Sequence, residues 1–231
     1  MQYFILKEAC ATKETGPVYP QIQKWKPGYD DGKPDSFYSY WKASKGGEFP
    51  EFEPNMDSLI MHTRAKPTDM VSSGVSLGFV ISEKLKSIFQ DFQLPPHRYF
   101  PAKIIHKKVP LDGYYFMHII SNYIDFVDYK KTTFFTCGFN NIDPMPIPIT
   151  SKEDFIKKAE ELQDDSFIKK LPYRSIHSNH ICFNGDFDRN LDLFEIGRFN
   201  INFYISEKLK NALTENGITG CNIKPTEDLI I

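Results

Sequence analysis

Gly74-Val75-Ser76-Leu77-Gly78 has the GxSxG spacing of a nucleophile elbow. Such an elbow needs a buried strand before the serine and a helix directly after it. Thr68-Asp69-Met70-Val71-Ser72-Ser73 is too polar to be that strand, and Phe79-Val80-Ile81 separates Ser76 from the next helix signal at Ser82. The pentapeptide therefore reads as a turn entering a strand. His177-Ser178-Asn179-His180-Ile181-Cys182 offers three metal-ligand types, but zinc wants about four, split between two short spacings. With no second pair nearby, the alternation of His180 and Cys182 reads as a strand entering the core. Asp186, Asp188, Asn190 and Asp192 recur at every second position, as in the opening of a calcium loop. The full pattern places Gly sixth and Glu twelfth, where this chain has Leu191 and Gly197. His118, with Asp125 and Asp128 downstream, contains the parts of a base and its orienting carboxylate. No nucleophile accompanies it, and a histidine among Tyr and Phe reads first as a hydrogen-bonded core residue.

The elements that would have to position these residues are mixed. Three helices are expected. One starts at Ser82 with Leu85, Ile88, Phe89 and Phe92 on one face and ends before Pro95-Pro96. A second runs from Ser151 through Phe155, Ile156, Ala159 and Leu162. The third starts at Ser206, carries Leu209, Ala212 and Leu213, and stops at Asn216-Gly217. Residues 114–121 and 132–137 are rich in aromatic and β-branched side chains, as strands are. Asn184-Gly185 predicts a hairpin turn between Ile181-Cys182-Phe183 and Phe187. Residues 142–148, with three prolines, predict an extended connector rather than an interior strand. Strands and helices do not alternate regularly, so an α+β chain with mostly antiparallel sheet is expected.

Residues 1–231 are long enough for a single domain with a sizeable core. Within it, residues 1–60 form an aromatic, proline-rich meander packed on the rest, because its Tyr and Trp residues are too many to leave in a flexible linker. The formal charge is −2 from 28 Lys and Arg against 30 Asp and Glu, which gives no broad basic field for nucleic acid. The stretch Arg98, Lys103, His106, Lys107 and Lys108 is locally basic and reads as a solvated edge. No apolar run approaches the roughly 20 residues that cross a bilayer, and Tyr3-Phe4-Ile5-Leu6 reads as a first strand rather than a secretion signal. The four cysteines form no CxxC pair, as expected of reduced thiols in a cytoplasmic protein.

Ile-Ser-Glu-Lys-Leu-Lys occurs twice, at 81–86 and at 205–210. At the same offset Pro101 falls on Pro225, and Asp69-Met70 pairs with Asp192-Leu193 one residue out of step. These coincidences predict an internal pseudo-repeat, 81–101 and 205–225, within halves of about 60–110 and 180–231.

The second copy, Phe203-Tyr204-Ile205-Ser206-Glu207-Lys208-Leu209-Lys210 followed by Gly217-Ile218-Thr219-Gly220 and Pro225, resembles the C-terminal signature of an immunity-protein family of bacterial polymorphic toxin systems. Tyr114-Tyr115-Phe116-Met117-His118 with Asp125 and Asp128 is similar to that family's second block, although Thr132 stands where a serine is usual. The resemblance spans about residues 60–228. It implies a cytoplasmic, non-catalytic inhibitor whose partner is a cognate toxin protein, needing no cofactor, nucleic acid or membrane. The oligomeric state stays open. The expected contacts are the aromatic anchors Trp25, Tyr29 and Trp41 and the acidic turn at Asp186 and Asp188. The alternative reading is a small hydrolase or metal-dependent enzyme built on Ser76, His118 or the His177–Cys182 cluster.

Overall fold

The computed structural model describes residues 2–138 and 142–230. Strands β1 (Tyr3–Glu8) and β2 (Ile22–Trp25) precede helix α1 (Phe37–Ala43). Strands β3 (Leu59–Met61), β4 (Met70–Val71) and β5 (Gly78–Ser82) lead to α2 (Glu83–Phe89). Strands β6 (His97–His106), β7 (Val109–Ile119), β8 (Thr133–Cys137) and β9 (Met145–Pro146) lead to α3 (Lys152–Phe167). After β10 (Ser175–Cys182), β11 (Leu193–Gly197) and β12 (Asn200–Ser206) comes α4 (Glu207–Glu215), then β13 (Cys221–Pro225) and β14 (Leu229–Ile230).

The strands form three sheets, ordered β2-β3-β6-β7-β5-β4, β11-β12-β1-β13 and β14-β10-β8-β9. Only the β3–β6 and β10–β14 pairs are parallel among those described, so the α+β, mostly antiparallel expectation holds. Inside the first two sheets lie four-stranded units of the same order, β4-β5-β7-β6 and β11-β12-β1-β13, with antiparallel pairing throughout. In each, a strand ends at a serine that starts a helix, and the chain returns as the strand on the far side of the unit's middle strand. That middle strand is β7 in one unit and β1 in the other.

The two serines are held in the same way. Ser82 Oγ accepts from the Leu85 N–H and donates to Asp69 Oδ1 at 2.8 Å. Ser206 Oγ accepts from the Leu209 N–H and donates to Asp192 Oδ1 at 2.6 Å. Each aspartate then reaches into the other unit. Asp69 Oδ2 accepts from the Thr219 N–H and hydroxyl at 2.9 and 2.8 Å, and Asp192 Oδ2 accepts from the Gln93 N–H at 3.0 Å. Burial pushes the Asp69 carboxyl up, but the bonds from Thr219 and Ser82 outweigh it and hold the group below its usual range. Between the units lies one apolar cluster containing Leu6, Ile81, Leu85, Phe89, Met117, Ile205, Leu209 and Leu213. Each such side chain contributes about 1.5–3 kcal/mol on burial. Gly220 completes the clasp: its φ is +82°, and a Cβ there would stand 2.0 Å from the Met70 carbonyl oxygen.

Three expectations need correction. The proline-rich opening is not only a meander, because Ser36 caps α1 by accepting from the Ser39 N–H, and Tyr40 buries the helix. Seven residues are too few for the helical period to show in the sequence. Helix α2 ends at Phe89, short of Pro95, although Phe92 still packs on the same cluster. No hairpin forms at Asn184-Gly185. Phe187 stacks on Phe183 with ring centroids 3.9 Å apart, and β14 takes the partner position beside Ile181 and Cys182.

These polar groups, buried at Ser206 and Asp192 and half-buried at Ser82 and Asp69, carry two predictions. Ser82→Ala and Ser206→Ala each lower the unfolding free energy by about 1 kcal/mol. Asp192→Ala lowers it by about 2 kcal/mol, because the donors of Ser206 and Gln93 lose their acceptor. Urea unfolding checks both, and unchanged midpoints would refute the clasp. Burial also raises Glu8 and Glu195 from 4.5 to about 7. The folded chain therefore holds these protons more tightly than the unfolded one. Their contribution is full below pH 4.5 and is lost as the pH rises through 7. His118 acts oppositely: burial, then the Arg98 charge, lowers it from 6.5 to about 4, so its contribution is lost on acidification from 6.5 to 4. Glu195→Gln is accordingly expected to raise the melting temperature at pH 8, with the gain vanishing near pH 4.5. Thermal melts by circular dichroism at the two pH values decide it.

Candidate functional site

The sheets leave a seam. On one side β10 ladders with β8 from Ser175↔Cys137 to His180↔Thr133. On its other side β14 covers only Ile181 and Cys182. Across from it the β1–β12 ladder stops at Leu6↔Phe203, so Asn200–Asn202 runs on without β1. Between these two backbones opens a groove of about 460 Å³, lined by Lys7, Tyr173, Ser175 to Ser178, Arg198, Ile201 and Asp228 among others. It adjoins a second cavity of about 410 Å³ beneath α3, walled by Phe155, Ala159, Leu162 and Ile176. Tyr173 and Arg198 line both.

Local sequence explains this shape. Ser151 caps α3 by accepting from the Asp154 N–H at 3.1 Å, which sets the helix direction. Phe155 is buried on the sheet, while Ile156, Ala159 and Leu162 stay partly exposed on the same stripe. The tight β11–β12 turn uses φ of +99° at Gly197 and +25° at Arg198. Phe199 then drives into the core, edge-on to Phe134 and Phe155 at 5.2 Å each. Burying Phe199 leaves Arg198 outside. Strand alternation buries Asn200, whose Nδ2 donates to the Tyr204 hydroxyl, and leaves Ile201 76% exposed. Tyr173 and Leu171 are also more than half exposed.

The groove carries more positive than negative charge. Among the described residues, neither Lys7 nor Arg198 has an ion-pair partner, and Asp228 is the one carboxylate on the groove lining. Arg174 is already committed to Asp143 and to the Thr136 side chain and carbonyl. His177 stacks on Phe135 at 5.8 Å, its Nε2 lies 2.8 Å from Ser175 Oγ, and burial lowers its pKa.

The contact residues expected from the sequence lie outside this groove, and of them Trp25 and Tyr29 are brought into ring contact. Trp25 stacks on Tyr29 at 4.2 Å and on Phe37 at 5.9 Å, and the Tyr29 hydroxyl accepts from the Phe37 N–H. That pair steadies the start of α1. Trp41 sits on the outer flank of α1, stacked on Tyr38 at 5.8 Å with Lys45 over its ring at 4.3 Å. Asp186 and Asp188 are exposed, with Asp188 accepting from Gln93 Nε2 at 2.6 Å.

The candidate chemical groups are likewise separated. Ser76 is exposed in the loop before β5. His118 is buried with its Nδ1 2.7 Å from the Tyr40 hydroxyl, the core setting expected for it. The Cys182 thiol turns to the Lys131 carbonyl, away from the Ser175 contact of His177. Asp192 is consumed by the Ser206 clasp. Among the described residues no three His, Cys, Asp or Glu side chains are grouped to hold a metal ion. Nor is any helix of the described residues long and apolar enough to cross a membrane.

Reading residue by residue missed the groove. Its traces in the sequence are an apolar residue between two asparagines, Asn200-Ile201-Asn202, and Ile168, Leu171 and Tyr173 scattered past the end of α3. In comparison with known proteins, the family model described as "Immunity protein family (Imm11)" matches residues 15–228, a span that includes the second cavity and every residue named on the groove lining except Lys7. No curated protein matches the chain.

Proposed function

The chain belongs to the Imm11 immunity protein family, and on that premise we propose that it binds a cognate toxin protein in the cytoplasm and silences it by occupancy, without catalysis of its own. The observation that carries this reading is the match over residues 15–228, which takes in the capped helices, the clasp and the β10 and β12 sides of the seam. The seam supports it physically. Exposed apolar side chains rimmed by unpaired cations mark an interaction surface, and aromatic and Arg anchors dominate such interfaces. Tyr173, Ile201 and Arg198 supply those types at one place. Trp41, stacked on exposed Tyr38, and the acidic turn at Asp186 and Asp188 are proposed as further contacts. Trp25 and Tyr29 act through the position they give α1 and through their half-exposed faces. The hydrolase or metal-enzyme alternative would need Ser76, His118 or the His177–Cys182 cluster to converge, whereas Ser76 is exposed in a loop and the His118, His177 and Cys182 side chains have the separate partners described above.

A tagged chain is expected to recover, from the native cell lysate, a stoichiometric protein whose expression alone arrests growth. Co-expression with this chain is expected to restore growth to at least about half the uninduced rate. Failure of the chain to relieve the arrest caused by its own captured partner would refute the reading.

A further inference from the structure

We infer that the outer edge of β10 at Ser175–Ser178 receives an extended segment of the toxin as an added strand, with a carboxylate of that segment held by Arg198 and Lys7. This rests on the toxin-binding reading above and specifies how the seam is used.

Three observations lead there. First, among the described residues the edge is open. β8 ladders with one side of Ser175–Ser178, whereas β14 begins only at Ile181 on the other. Proteins normally shield such an edge or use it, because its unpaired N–H and C=O groups template another strand. A register shift between Ser178 and His180 ends the regular edge, so the docked stretch spans four residues, about 13 Å at about 3.3 Å each. Second, the groove facing this edge is bounded by Asn200–Asn202, which has lost β1 as a neighbour. Ile201 and Tyr173 stand exposed on its rim, ready for apolar side chains that alternate along an extended segment. Third, Lys7 and Arg198 are unpaired among the described residues, against Asp228 alone, so the complementary segment is acidic. The strained turn at Gly197-Arg198 is pinned by buried Phe199, so the guanidinium is presented from a rigid base.

The test uses the growth-arresting protein recovered on the tagged chain as the probe, and compares wild type with Arg198→Glu, Ile201→Glu and Arg198→Lys. Arg198 and Ile201 are exposed, so the variants are expected to keep the wild-type melting temperature. The expected result is affinity at least about tenfold weaker for Arg198→Glu and for Ile201→Glu. Arg198→Lys should bind within about threefold of wild type, because the charge complementarity survives. Amide exchange at residues 175–178 should slow in the complex. Full-strength binding by both Glu variants with no added protection at 175–178 would overturn the strand-docking inference while leaving toxin binding intact. Protection of 175–178 that rises with concentration in the free chain would overturn it in favour of a second copy as the occupant. A captured protein that the wild-type chain does not neutralise would remove the toxin reading itself, and the inference with it.

Discussion

An aspartate that grips the capping serine of its own helix and a backbone N–H of the opposite unit organises this molecule. Asp69 joins Ser82 to Thr219, and Asp192 joins Ser206 to Gln93. A serine cap alone fixes only where a helix begins. Once the serine hydroxyl is itself bound by a carboxylate that also holds the other unit, helix start and unit docking become one event. The apolar cluster around Leu85, Leu209, Ile81 and Ile205 supplies most of the stabilisation. The aspartates supply direction, because a carboxylate held at both oxygens tolerates few arrangements in which all those bonds are kept.

The seam is a geometric consequence of that docking. β1 must serve as the middle strand between β12 and β13, and by Lys7 its ladder partner is β13 alone. The start of β12 therefore parts from β1 and, with β10, leaves an opening instead of a continuous sheet. Phe199 closes the bottom of this opening and turns Arg198 outward, so one buried aromatic both seals the core and arms the surface. Under the proposed toxin-binding role such an opening has a use, since binding requires an exposed complementary surface rather than converging catalytic groups.

Much of the architecture was legible because its signals are local. Ser82, Ser151 and Ser206 each cap the helix that their sequence context announces. The twin Ile-Ser-Glu-Lys-Leu-Lys segments and the Asp69/Asp192 pairing drew attention to Ser82 and Ser206, and both serines make the same capping bonds. The matching strand order was not legible, because one unit draws its middle strand from the start of the chain, and no local pattern reports a partner about 200 residues or more away. The Asn184-Gly185 signal misled in part for the same reason: the chain does turn at Gly185-Asp186, but Phe187 is buried against Phe183 and β14 arrives from the far end of the sequence to pair with β10, so no hairpin follows. The candidate surface was harder still. Trp25, Tyr29 and Trp41 attract attention as residue types, yet a groove is a property of what two backbones fail to fill.

The most direct test of the account is a titration of the purified toxin's activity with the purified chain. Inhibition by occupancy predicts a linear loss of activity that is complete at one chain per toxin, with activity recovered when the complex is dissociated. Complete and lasting inactivation at a small fraction of an equivalent would show turnover, and would contradict a protein that acts by binding alone.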